Sequence, residues 1–252
     1  MIRIVTTPQD LLHVFGNMHR LAPLLFMRFT SERLITSLFT TDRVATLRTD
    51  LEKNFFRMYN VPEPKQITFN AQEFVSMVHS FSQFNIVTML FTDEEKQFVF
   101  EMNNGSNRMA VSSKQFPLLS DEVEEYGLFD PSILAKMAHT TLKKNTLLNT
   151  ILFHNQFDPV SMITIDENET SIITANDEVE HAAVITPVEK NFAIGEQEVE
   201  MLNTYLATIA IICPRSEIEL YIVKVDTTDT LVKYDMPNAT GRAVGLIMSR
   251  GK

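Results

Sequence analysis

Phe69-Asn70-Ala71-Gln72-Glu73-Phe74-Val75 closes a short strand, Lys65–Phe69, and opens a helical pattern that runs to about Phe84. Ile194-Gly195-Glu196-Gln197-Glu198-Val199-Glu200 has the same form. It follows a short strand, Asn191–Ile194, and leads a pattern that runs to about Ile209. In both, a small or polar residue suited to capping a first helical turn separates the two elements. Asn70 and Gly195 stand 125 apart (195 − 70), about half of the 252-residue chain. An internal repeat of this size governs how every other segment is read.

The repeat extends outward from these stretches. Thr7-Pro8-Gln9-Asp10-Leu11-Leu12 resembles Asp130-Pro131-Ser132-Ile133-Leu134, and the two prolines are 123 apart (131 − 8). Each proline follows a capping residue, where a missing N–H costs nothing. The spacing predicts one helix over Pro8–Arg20, from Leu11, Leu12, Phe15 and Met18. It predicts its counterpart over Pro131–Thr146, from Ile133, Leu134, Met137 and Leu142. The remaining apolar runs alternate with polar residues, as in Ile218-Glu219-Leu220-Tyr221-Ile222, and predict strands. In the first half these are Leu25–Thr30, Leu34–Thr40, Val44–Leu51, Phe55–Tyr59, Ile86–Phe91, Gln97–Met102 and Met109–Ser113. In the second they are Leu147–His154, Ser161–Ile165, Ser171–Ala175, His181–Thr186, Ile218–Val223, Thr230–Met236 and Arg242–Met248. Each half reads as helix, strands, helix, strands, an α+β class. The acidic segment from Phe116 to Gly127 reads as an extended linker between them.

Composition narrows the function. The chain is 44% hydrophobic and 21% charged, with a net charge of −10, which is an ordinary globular balance. Its 7 glycines are under half the usual share of about 7%, and neither phosphate-cradling glycine motif occurs. A single cysteine, Cys213, excludes an internal disulfide or a cysteine-based zinc site and fits a reducing compartment. The longest apolar run, about Leu206–Ile212, is far short of the ~20 residues of a membrane span, and the start of the chain has no apolar signal core. The expectation is a soluble, intracellular protein without membrane attachment. The 6 histidines never form H-x-x-x-H, and no nucleophile elbow or Cys/His pair is present. No catalytic residue, metal site or cofactor is therefore expected.

Three further patterns carry a resemblance. Leu38-Phe39-Thr40-Thr41-Asp42-Arg43-Val44-Ala45-Thr46-Leu47 places a small polar run before a short strand. Phe192-Ala193-Ile194 enters the last helix. Leu231-Val232-Lys233-Tyr234 and Val244-Gly245-Leu246-Ile247-Met248 form a closing strand pair. With the length, the repeat and the element order, the whole chain resembles a distant member of the DNA sliding clamps of the proliferating cell nuclear antigen family. The resemblance implies two repeated clamp domains, residues 1–116 and 129–252, joined by a connector over 117–128. Each would have antiparallel sheets outside and two helices inside. It further implies a homotrimeric ring around double-stranded DNA that tethers a DNA polymerase and other replication proteins through short apolar peptides. A clamp loader would be a further partner. It would be found at sites of DNA replication, in a nucleus, nucleoid or viral compartment.

The resemblance also assigns residues. Phosphate contacts would come from Lys136, Lys143, Lys144 and His139 on the third helix and from His19 and Arg20 on the first, with Arg3, Arg28 and Arg33 as further candidates. The second and fourth helices lack Lys and Arg. This leaves as an alternative a clamp-fold scaffold, or an open processivity factor, with weak DNA contact. The partner-peptide groove would be lined by Phe39, Val44 and Thr46, by Leu118, Leu119 and Tyr126 of the connector, and by Leu246, Ile247 and Met248. Subunits would join along edge strands at Met109 and Val111 on one copy and Ala183 and Ile185 on the next.

Overall fold

A computed structural model describes residues 1–42, 44–94, 97–114, 135–175, 180–224, 228–235 and 241–248. The chain divides into two compact units. One consists mainly of Met1–Phe39 and Arg48–Glu125. The other consists mainly of Tyr126–Asp235, together with Thr40–Leu47 and Ala243–Lys252.

The first unit runs β1 (Ile2–Thr6), α1 (Pro8–Phe15), a 3-10 turn (Met18–Arg20), β2 (Leu24–Phe29), β3 (Arg33–Phe39), β4 (Ala45–Glu52), β5 (Met58–Asn60), β6 (Lys65–Asn70), α2 (Ala71–Ser80), β7 (Val87–Glu94), β8 (Gln97–Asn103) and β9 (Arg108–Lys114). One sheet has the order β5-β1-β7-β8-β9, and β6-β2-β3-β4 follow one another in a second. Both helices begin as the sequence dictates. The Thr7 hydroxyl oxygen accepts from the Asp10 N–H at 3.0 Å, and Asn70 Oδ1 accepts from the Glu73 N–H at 3.0 Å. Their apolar stripes, Leu11, Val14 and Phe15 on α1 and Phe74, Val75 and Val78 on α2, are buried. Phe15 meets Phe74 edge to face at 5.5 Å, and Phe29 lies 4.7 Å from Phe91 at the centre of the core.

The second unit repeats the plan with β10 (Ala138–Lys143), α3 (Lys144–His154), β11 (Val160–Ile165), β12 (Thr170–Ala175), β13 (Glu180–Ile185), β14 (Gln197–Leu202), α4 (Asn203–Ile212), β15 (Glu217–Lys224), β16 (Thr228–Asp235) and β17 (Gly241–Met248). The order β10-β15-β16 matches β1-β7-β8, and β14-β11-β12-β13 matches β6-β2-β3-β4. A shared tertiary bond confirms the correspondence. The Ala71 N–H donates to the Pro23 carbonyl at 2.8 Å, and the Asn203 N–H to the Pro159 carbonyl at 2.9 Å. Each proline immediately precedes the strand that follows the first helix of its unit.

The repeat is therefore real, but its register in the second half differs from the sequence reading. Asn70 corresponds to Leu202, seven residues beyond Gly195 (202 − 195). Residues 195–209 were expected as a helix, yet Gln197–Leu202 is a strand. Val199 and Met201 face inward while Glu198 and Glu200 face out, a period of two. Asn191–Ile194, expected as a strand, makes one isolated bridge, between Phe192 and His139. Of the helix expected over 131–146, residues 131–134 lie outside the described residues, 138–143 form β10 with Ala138, Thr140 and Leu142 buried, and 144–146 open helix α3. The strand expected over Leu147–His154 is helix α3, which buries Leu147, Ile151 and His154 at helical spacing. In the first half, the helix predicted to reach Arg20 stops at Phe15 and re-forms as the 3-10 turn. The strand Phe55–Tyr59 begins only at Met58. The connector 117–128 lies outside the described residues.

Candidate nucleic-acid and subunit interfaces

The outward faces of the four described helices carry few charges and are polar except at the end of α3, where Leu152 and Phe153 are 45% and 49% exposed. They present Gln9 and His13 on α1, Gln72, Glu73, Ser76 and His79 on α2, Asn145, Thr146 and Asn149 on α3, and Thr204 on α4. Lys144 is the only Lys or Arg in any of these helices. Its Nζ donates to the Cys213 carbonyl at 2.9 Å, placing a cation on the negative end of α4. The glutamates that sequence reading put on the fourth helix belong to β14 and the turn before it, so α4 carries no formal charge.

The basic helix expected to carry Lys136, His139, Lys143 and Lys144 does not form as one element, because residues 138–143 are a strand. Thr140 is buried and accepts a hydrogen bond from the Thr170 hydroxyl at 3.0 Å. Lys136 is exposed in the turn before β10, and Lys143 is exposed at its far end. The His139 ring is stacked between Phe192 at 5.4 Å and Tyr221 at 4.9 Å, with Nδ1 2.9 Å from the Met137 carbonyl oxygen. It holds the loop before β14 against β10. Arg20 is exposed, while His19 is half-buried with its Nδ1 enclosed.

A different basic group does converge. The Lys144 N–H donates to the Ser216 carbonyl at 2.8 Å, which brings exposed Arg215, just past α4, to the start of α3 beside Lys143 and Lys144. Sequence reasoning missed Arg215. No periodicity links it to Lys143; the antiparallel pairing of β10 with β15, which sets Lys143 opposite Glu217, does.

The residues expected in the partner groove are placed only in part. Phe39 is half-buried against Phe26, edge to face at 5.8 Å. Val44 and Thr46 are half-buried, and the Val44 N–H donates to Asp42 Oδ1 at 3.1 Å. Leu118, Leu119 and Tyr126 lie outside the described residues, and Leu246, Ile247 and Met248 belong to β17. Beside Val44 is a polar latch the sequence reading did not find. The Thr40 hydroxyl donates to Asp42 Oδ1 at 2.6 Å, and the Tyr205 hydroxyl, from α4, donates to Asp42 Oδ2. The Thr40 bond and then the Tyr205 bond hold the Asp42 carboxyl below its usual range. Burial, reinforced by Asp42, raises the Tyr205 phenol. The Thr40-Thr41-Asp42 run is an Asx-turn signature that could have located the turn, but not Tyr205.

Among the described residues, β9 is hydrogen-bonded only to β8 and β13 only to β12, so each ends its sheet. Met109 is 42% exposed, and Val111 lies in the same strand. Ala183 is half-buried, whereas Ile185 is 3% exposed and fills the core of its own unit. Beside β13, at the end of α3, Phe153 and Phe157 remain 49% and 38% exposed. Large apolar rings next to an open strand edge mark a surface suited to being covered.

The described residues contain no group of His, Cys, Asp or Glu arranged to hold a metal, and no helix long and apolar enough to cross a membrane. Cys213 is buried, and burial pushes its thiol up to about 11.

The architecture has clear counterparts among solved structures. The PCNA of Thermococcus kodakaraensis matches over 99% of this chain and 100% of its own, with a TM-score of 0.81 at 13% sequence identity. A structure of the C-terminal region of FEN-1 bound to A. fulgidus PCNA matches over 100% and 99%, with a TM-score of 0.76 at 15% identity. No protein-family model and no curated protein sequence matches the chain. The chain has the sliding-clamp fold of PCNA, an α+β architecture of two repeated domains, along its whole length.

Proposed function

We propose that this protein is a DNA sliding clamp: a non-enzymatic ring of three copies that encircles duplex DNA and tethers replication enzymes. The observation that carries the reading is the pair of open sheet edges, β9 in one unit and β13 in the other, within a fold matched end to end by PCNA. Two different edges on one chain make a head-to-tail contact, and such contacts close into rings when the rotation allows. A clamp needs no sequence readout, only groups that follow phosphates. Arg20, Lys143, Lys144 and Arg215 are the candidates, with Lys136 further off. Partner peptides would dock by the connector, near Phe39, Val44 and β17. The PCNA solved with the FEN-1 C-terminal region supports replication proteins as partners. A polymerase and a loader complete the proposal.

Light scattering tests the ring, and the expected mass is that of three chains. In β9, the hairpin bond from the Asn104 N–H to the Asn107 carbonyl sets the alternation. It turns the backbone groups of Met109, Val111 and Ser113 toward β8 and those of Ala110 and Ser112 outward. Ala110→Pro therefore removes an outward N–H without breaking a β8 bond, and should lower the mass to one chain. A wild-type monomer at high concentration would refute the closed ring.

The nearly uncharged helix faces favour a second reading, a clamp-fold scaffold or open factor that holds DNA weakly. The two diverge on circular DNA. A closed ring stays on the circle and leaves once it is cut, whereas an open one leaves both alike.

A further inference from the structure

The end of α3 and the edge strand β13 hold a cluster that neither phosphate contact nor the partner groove uses. The His181 ring is stacked on Phe157, with centroids 3.7 Å apart and planes 22° apart, and stands edge-on to Phe153 at 6.1 Å. Phe153 and Phe157 meet edge to face at 5.0 Å. The three rings form a ledge along the open edge. Behind it His154 is fully buried. Its Nδ1 lies 2.8 Å from the Thr174 hydroxyl, which is bonded in turn to Ser161, and its Nε2 has no hydrogen-bond partner among the described residues.

The charged groups around His181 are few. On its own strand, Glu180 points to the other face of the sheet, because neighbouring residues alternate. From α3 comes only His154, whose charge opposes that of His181. From the loop after α3 comes Asp158, whose carboxylate already accepts the Val160 N–H at 2.7 Å. Strand β12 (Thr170–Ala175) contributes none. Asp177 and Glu178 lie outside the described residues. On the opposing edge, β9 carries Arg108 and Lys114, and Arg108 is already ion-paired with Glu101 of β8 at 2.6 Å.

We propose that His181 makes the seam between β13 of one copy and β9 of the next sensitive to pH: neutral, it completes the aromatic ledge that the neighbour covers; protonated, it opens the seam. The proposal rests on the ring reading above. Covering the ledge takes the imidazole out of water, which disfavours its charged form. The face of Phe157 attracts a cation and does so more strongly once covered, but that gain is smaller than the hydration the charged ring gives up. The free chain therefore binds the proton more readily than the assembled one. Assembly weakens as pH falls through the imidazole range of about 5 to 8.

The test is the concentration at half-assembly, measured by light scattering at about pH 7.5 and about pH 5.5, with far-UV circular dichroism confirming that the chain stays folded. For the wild type this concentration should rise about tenfold or more at the lower pH. For His181→Phe it should stay within about threefold. His181→Gln, neutral at every pH, should assemble less tightly than the wild type but without pH dependence. A wild type that assembles equally at both values, or variants that follow its pH dependence, would overturn the proposal and leave the ring intact. A wild-type monomer at both values would overturn the ring and this proposal together.

Discussion

His154 is buried at the C-terminal end of α3, where burial, and secondarily the charge of His181, lower its pKa below the usual histidine value. The unfolded chain therefore takes up a proton on this residue at a higher pH than the folded chain does. Stability from this site is complete above the unfolded value of about 6.5 and is lost as pH falls below it toward the folded value. Melting temperature should accordingly drop between about pH 7 and about pH 5. His154→Gln should be less stable at pH 7 yet show a flatter dependence. Cys213 allows a second check. With its thiol pushed up to about 11, it should resist alkylation at neutral pH while the chain is folded. Mass spectrometry should find it labelled only as denaturant unfolds the second unit. The burial of Cys213 is legible from the apolar Ile211-Ile212 before it, whereas that of His154 is not: six histidines read alike until the fold encloses one of them.

The helices show where sequence information runs out. In the first half α1 and α2 start at side chains that bond the first turn, Thr7 and Asn70, and both were located within a residue of their starts. In the second half α3 and α4 start at Lys143 and Leu202, which make no such bond. Their first N–H groups are met instead by the carbonyls of Ser216 and Pro159, tertiary partners that no local pattern announces. Their residues mislead as well. Thr146, Thr150 and Ile151 in α3 and Ile209, Ile211 and Ile212 in α4 are β-branched and favour strands in isolation. Helix-capping positions in the two halves should thus respond with opposite signs. Asn70→Ala should cost about 1 kcal/mol in denaturant unfolding. Lys143 is exposed at φ −67°, ψ 122°, a backbone geometry that suits a cap. Lys143→Ser should stabilise the second unit by up to about 1 kcal/mol while removing a candidate phosphate contact.

Across the molecule, the scarcity of cations on the helices bears on how DNA would be held. With Arg20, Lys143, Lys144 and Arg215 as the main candidates, retention on DNA should be weak and should fall with salt. Neutralising Lys143 and Arg215 together should flatten the log–log slope by about 1 for each cation that touches a phosphate. An unchanged slope would remove both from the interface. The sequence by itself determined that the chain is a duplicated α+β protein without disulfide, phosphate-loop motif or metal-ligand motif. Composition, motif absence and the strand-then-helix order are local properties, and they survive an error in register. Only the tertiary structure decided the register of the second repeat, the dispersal of the expected basic helix face and the gathering of Arg215 with Lys143 and Lys144. It also decided which aromatic side chains stand beside an open edge. These depend on which strand lies against which: a period of two and a period of 3.6 can share the same few apolar residues, and the partner that buries them chooses between the two.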